Sequence, residues 1–192
     1  METCDVALKE WDAQVQALEA GRVALVVRKG GIVETRGEFE VEHTRFWLYP
    51  TFLHQNPGEL RSDIVPLQRE NPSPGTVLFK SFCSVEYVWK LTDPERVKSL
   101  EPHQCLTKAS LERRFKYRNK PWVHALLLRV YTLPTPVPLQ ETPMYSGCVS
   151  WVPLAQAISF TGAQAVLNDA EFEAQRRALE AVLGKGTISK PV

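Results

Sequence analysis

Residues 76–91 place apolar side chains on both alternating sets of positions. Val77, Phe79, Cys83, Val85, Tyr87 and Trp89 fall at odd numbers, and Leu78, Phe82 and Val88 at even ones. A strand that is apolar on both faces has to lie inside a sheet, covered above and below. This one stretch commits the chain to a sheet with a central strand. Val123 to Val130 repeats the pattern and predicts a second such strand. Phe46-Trp47-Leu48-Tyr49 predicts a further strand that stops at Pro50, and Val149 to Val152 a last one. Val23–Val27 and Ile32-Val33 flank Gly30-Gly31, which predicts a hairpin, because glycine supplies the positive φ angles of a tight turn. Phe39 and Val41 alternate with Glu38, Glu40 and Glu42, the pattern of a strand with one wet face.

Helices are signalled by their ends. Leu8, Trp11, Val15 and Leu18 follow helical spacing, so the first segment reads as a helix capped by Asp5 and closed at Gly21. Asp93-Pro94 opens a short helix that Pro102 ends, and Thr107 caps another over about 108–117. Asn168 with Glu171 forms a capping-box pair ahead of Phe172, Leu179, Val182 and Leu183, and Gly184 closes that helix. Residues 54–75 carry four prolines and read as a surface connection with one short helix. Prolines 134, 136, 138 and 143 read as an extended, polyproline-like passage. Strands and helices do not alternate strictly. The prediction is an α+β fold: a curved, mainly antiparallel sheet or partly open β-barrel with flanking helices. A single domain over 1–184 is expected, with 185–192 as a frayed tail.

A chain of 192 residues buries enough surface to fold without a disulfide or a metal. With 23 basic and 22 acidic residues it is not a globally basic nucleic-acid clamp. No apolar run is long enough to span a membrane, and the acidic residues within the first twenty are wrong for a signal peptide. Cys4, Cys83, Cys105 and Cys148 form no C-x-x-C pair, and His103-x-Cys105 lacks a second half, so no metal site and no cofactor is expected. Reduced thiols and the missing signal peptide predict a cytoplasmic location.

The charge is uneven. Residues 101–150 hold seven basic against three acidic residues, while residues 1–50 hold six against nine. The excess concentrates in Lys108, Arg113, Arg114, Lys116, Arg118 and Lys120, opposed only by Glu112. Phe115, Tyr117 and Trp122 interleave with these cations. Cations beside rings suit phosphate neutralisation with base stacking; a helix C-terminus lined with cations is the plain alternative. Two further clusters combine flat and hydrogen-bonding side chains, His43 to Gln55 and Tyr145 to Trp151. From them His43, Tyr49, His54, Gln55, Tyr145 and Trp151 make a candidate base pocket. Core packing is the alternative for Trp151 and Tyr145.

Catalytic motifs are weak. No Asp/Glu-x-Lys triplet of a restriction-type nuclease lies on a predicted strand, and Glu86 with Lys90 has no upstream acidic partner. There is no G-x-S-x-G elbow. Cys148 after Gly147, with His43, His54 or His124 as base, is the remaining hydrolase candidate.

The strings ALKEW, VRKGGI, FEVEH, LYPTFLHQ, LLLRVYTLP, YSGCVSWVPL and AVLNDAEF, from Ala7 to about Leu183, resemble the bacterial domain-of-unknown-function family 1802. That resemblance implies a link to restriction-type systems through fusion with nuclease domains, and so a DNA-specificity module, modified DNA included. More loosely, the strand-rich middle looks like the β-barrel group that reads RNA or modified bases. The expectation is a non-catalytic module binding DNA or RNA. The alternatives are an interaction subunit whose basic helix meets an acidic protein surface, or a small enzyme using His54 or Cys148.

Overall fold

The computed structural model describes residues 2–29, 32–35, 38–41, 43–145 and 149–188, with the backbone alone at 32–35, 38–41, 118 and 188. In chain order the strands and helices are β1 (Thr3–Trp11), α1 (Asp12–Glu19), β2 (Leu25–Arg28), β3 (Ile32–Thr35), β4 (Glu38–Val41), β5 (Arg45–Thr51) and β6 (Thr76–Leu91). They continue with α2 (Pro94–Lys98), α3 (Lys108–Lys116), β7 (Val123–Gln140), β8 (Trp151–Ser159), β9 (Gln164–Ala165), α4 (Asp169–Leu183) and β10 (Thr187–Ile188). The main sheet runs β2-β7-β6-β5-β1-β8, with β10 added to β6 and β9 to β7. Only β1 and β5 pair in parallel among the described strands. Among the described residues no pairing joins β2 to β8, so the sheet is open, and the fold is α+β as the pattern predicts.

The long strand β6 is central, between β5 and β7, and two register shifts bend the β6–β7 ribbon, between Phe79 and Ser81 and between Val85 and Tyr87. Bulges of this kind re-aim side chains and increase twist. The larger core, under α1, α3 and α4, holds Leu8, Phe46, Leu48, Cys83, Val85 and Leu126–Leu128. A second core holds Ala7, Trp47, Tyr49, Phe79, Phe82, Tyr145 and Phe160. Alternate residues of β5 therefore serve different cores, as a period of two requires.

Three expectations are corrected. The first segment is a strand followed by a helix. Ala7 and Leu8 are both buried because β1 lies between β5 and β8, and only Val15 and Leu18 of the apparent stripe are helical. Asp5 therefore caps nothing. The first turn of α1 is closed instead by Gln55, whose Oε1 accepts the Ala13 N–H at 3.0 Å. Gly21 does hold φ +66°, and an added Cβ there would sit 2.8 Å from Leu167. Second, β2 pairs with β7, while β3 and β4 pair with each other, so residues 23–27 and 32–33 form no hairpin; Gly30-Gly31 lies outside the described residues.

Third, the proline passage is strand. β7 continues through Pro134, Pro136 and Pro138 and pairs with β6 from Val137 to Gln140. Pro134 and Pro136 fall in the register shift between Thr132 and Val137, where no β6 residue is paired with them, and Pro138 stands opposite Leu78, so the ladder accommodates all three. Likewise β5 runs through Pro50 to Thr51. The 54–75 connection carries two 3-10 turns, Pro57–Glu59 and Val65–Leu67. At the chain's end, Thr187 and Ile188 pair with Val88 and Tyr87, and the Trp89 Nε1–H donates to the Gly184 carbonyl at 2.9 Å, so this part of the tail is held. Among the described residues no helix is long and apolar enough to cross a membrane.

Candidate nucleic-acid interface

α3 starts at Thr107, whose Oγ1 accepts the Ser110 N–H at 3.3 Å. Ser110, Leu111 and Phe115 are its buried residues, and they set which cations face outward. Arg114 lies between the buried Ser110 and Leu111 on the helix wheel and turns inward. It donates to the Val27 carbonyl at 3.1 Å and sits 5.8 Å over the Trp11 ring. Burial lowers its pKa, Glu10 opposes that, and Arg28 adds to it. Arg113 is exposed but committed, with Nη2 3.1 Å from Ser110 Oγ and 3.3 Å from Glu59 Oε1. Glu112 is drawn to Lys98 at 3.2 Å. Lys108, Lys116 and Lys120 are exposed and form no ion pair among the described residues. The Arg118 side chain lies outside the description.

The segment after α3 is fixed from beneath. Lys29 Nζ donates to the carbonyls of Phe115 at 2.9 Å, Trp122 at 2.6 Å, and Lys120. Its ammonium has three donors and finds three carbonyls, including one that the end of α3 would leave open. The 3-10 turn Tyr117–Asn119 is held between these anchors, with Asn119 at φ +54°. Tyr117 is 54% exposed, unusual for a large ring. Lys116 and Lys120 flank this ring in the chain, and Lys108 stands at the other end of α3.

The six candidate pocket residues are distributed differently. Tyr49 and Tyr145 meet at 6.1 Å in the second core, where both are buried. Tyr49 Oη donates to Glu141 Oε1 at 3.0 Å, and burial followed by Glu141 pushes its pKa up. Tyr145 Oη accepts the Ala155 N–H at 2.9 Å, and its carbonyl accepts Lys9 Nζ. His43 and Trp151 form a separate pair at 5.0 Å, with Trp151 packed on Phe46 of the larger core. His54 is exposed at φ +61°, and the Gln55 carbonyl oxygen is taken by α1. The structure thus brings these residues together as two ring pairs in different cores, Tyr49 with Tyr145 and His43 with Trp151.

A cleft that the sequence reading did not single out lies at the rim of the second core. About 390 Å³ in volume, it is lined by Arg45, Phe82, Ser84, Tyr131 and Phe160, with Glu2 and the 161–163 turn closing it. Arg45 shares the alternating face of Trp47 and Tyr49. That parity, an arginine at the open end of an apolar strand face, is the signal that could have marked it.

The remaining chemistry is muted. Burial raises the thiol pKa values of Cys4 and Cys83, and that of Cys105 to about 12. Cys148, the candidate nucleophile, lies outside the described residues. His124 is fully buried beside Trp122 at 5.0 Å, and burial, then Lys90 and Lys29, lowers its pKa to about 4. Among the described residues no three His, Cys, Asp or Glu side chains converge as a metal site would need.

A family model described as "Domain of unknown function (DUF1802)" matches residues 7–178. No curated protein matches. Among solved structures, the crystal structure of ASCH from Zymomonas mobilis is 13% identical, with 96% of this chain and 97% of that chain covered and a TM-score of 0.46. Two mutant forms of that protein are 13% and 12% identical, with TM-scores of 0.46 and 0.45. Each of these two covers 88% of this chain, and 92% and 94% of their own.

Proposed function

The chain belongs to the DUF1802 family, whose description names no activity, and from its own side chains we propose that it is a non-catalytic module that binds single-stranded DNA or RNA along the α3 face. The observation that carries this reading is the set of exposed ammonium groups of Lys108, Lys116 and Lys120, without ion pairs among the described residues, spread along α3 and the following turn that also exposes the Tyr117 ring. Ammonium groups replace the counterions of a phosphate backbone, and a phenol ring offers a stacking surface to any base. A duplex hides its base faces, so a reader that uses a ring favours unpaired strands.

The cation set is narrower than the sequence alone suggests. Arg114 serves the fold and Arg113 is shared with Glu59, so the phosphate contacts fall to the three lysines. A role as the specificity part of a restriction-type system, in a reducing cytoplasm, belongs with this reading, and the free thiols of Cys4, Cys83 and Cys105 fit that compartment.

The test is a fluorescence-anisotropy titration of a labelled oligonucleotide at two salt concentrations, with Lys108→Glu/Lys116→Glu/Lys120→Glu as the variant. Binding that weakens with salt and is lost in the variant supports the reading. No binding at low salt, with a stable complex to an acidic protein instead, favours an interaction subunit.

A further inference from the structure

The cleft at the rim of the second core is separate from the α3 face. It opens where the start of β5, the middle of β6 and β7, and the turn after β8 come together. Phe82 and Phe160 stack at 4.1 Å with their planes 10° apart. The Arg45 guanidinium lies 4.8 Å from the Phe160 centroid and 5.4 Å from that of Phe82. Tyr131 tilts against Phe82 at 6.4 Å, and its hydroxyl makes no hydrogen bond among the described residues. Arg45 is exposed and forms no ion pair among the described residues.

These features are complementary to one ligand chemistry. A guanidinium held over a ring keeps its in-plane N–H donors for an anion, and its fork matches a phosphate. The flat apolar wall beside it suits a planar ring, and the free phenol suits a hydrogen bond to that ring's edge. The volume of about 390 Å³ lies within the range of roughly 300–1,000 Å³ typical of small-molecule pockets. The rim turn adds backbone groups at Gly162, which holds φ +85° with open space beside it.

We propose that this cleft binds one nucleotide, with its phosphate on Arg45 and its base along Tyr131 and Phe160. The choice of nucleotide rests on the nucleic-acid reading above. The cleft would take either a free nucleoside monophosphate or one nucleotide of a bound strand.

The full chain is titrated with the four nucleoside 5′-monophosphates, the matching nucleosides and a labelled oligonucleotide. Amide chemical shifts of Gly162 and Ala163 report on the cleft. The expected result is saturable shifts at these amides with at least one monophosphate. Arg45→Ala, an exposed change, should weaken that monophosphate about tenfold and the nucleoside less. Phe160→Leu, its fold checked by thermal melting, should weaken both. The triple α3 variant should leave monophosphate binding unchanged.

Absent shifts at millimolar ligand, shifts elsewhere, or equal affinity in wild type and Arg45→Ala overturn the proposal. Absence of oligonucleotide binding in the wild-type chain, with monophosphate binding kept, counts against the α3 reading and not against the cleft. An oligonucleotide whose affinity also falls in Arg45→Ala identifies a nucleotide within a strand as the occupant. An unchanged oligonucleotide affinity identifies a free one.

Discussion

Lys29 Nζ lies 4.5 Å from the centre of the Trp122 ring while donating to the Trp122 carbonyl at 2.6 Å. One ammonium thus holds a residue by ring and backbone together and also ties down the end of α3 through Phe115. The cation contributes order to the candidate interface and is itself taken up inside it. Lys29→Met should keep the packing of the stem and lose three charge-assisted bonds. The expected cost is about 1–3 kcal/mol, read by chemical denaturation. Amide exchange at residues 117–122 should rise, and nucleic-acid affinity should fall although no exposed cation is removed. Unchanged exchange there would mean the turn is held by something else.

The two adjacent arginines of α3 should behave differently. Arg114→Ala removes a half-buried donor to Val27 and the stacking on Trp11, with an expected destabilisation of about 2 kcal/mol. Arg113→Ala removes an exposed pair and should stay within about 0.5 kcal/mol. Equal effects in thermal melts would contradict the inward placement of Arg114.

His124 gives the fold a pH dependence of known sign. Its folded pKa is lowered to about 4, below the ordinary value of 6.5, because burial disfavours the charged ring. Between these values the unfolded chain binds a proton that the folded chain refuses. Stability from this group is full above pH 6.5 and is lost progressively as pH falls through 4, by about 3 kcal/mol in all. His124→Phe should flatten the difference between denaturation curves at pH 7 and pH 5. An unaltered difference would place the pH sensitivity on other groups.

Thiol reactivity should follow burial. At pH 8, Cys83 and Cys105 should resist alkylation in the folded chain and react once it is denatured, since burial keeps both protonated. Peptide mass spectrometry separates them. Rapid native labelling of Cys83 would mean that the centre of β6 opens locally.

Local signals were legible in the sequence and long-range ones were not. Asn168 with Glu171, Asp93 and Thr107 cap where they were expected to, because a cap depends on a few neighbouring residues. β6 and the first half of β7 follow from apolar content on both faces. The first segment misled because Leu8, Trp11, Val15 and Leu18 fit a helix although the chain changes from strand to helix at Asp12. Position in the sheet overrode that spacing. In α3, Arg114 follows the apolar Leu111 by three residues and so shares its face, which was enough to foresee that it points inward. No local pattern announces that Arg45 meets Phe160; only the order of β5, β6, β7 and β8 in space brings them together.

The most direct measurement is the salt dependence of oligonucleotide binding in the wild-type chain and in Lys108→Glu/Lys116→Glu/Lys120→Glu. Three lysines on phosphates of a single strand contribute a slope of about −2 in the plot of log affinity against log salt. The account predicts that the variant loses that slope together with most of its affinity. Wild-type affinity that is absent at low salt, or a slope that the three substitutions leave intact, would contradict it.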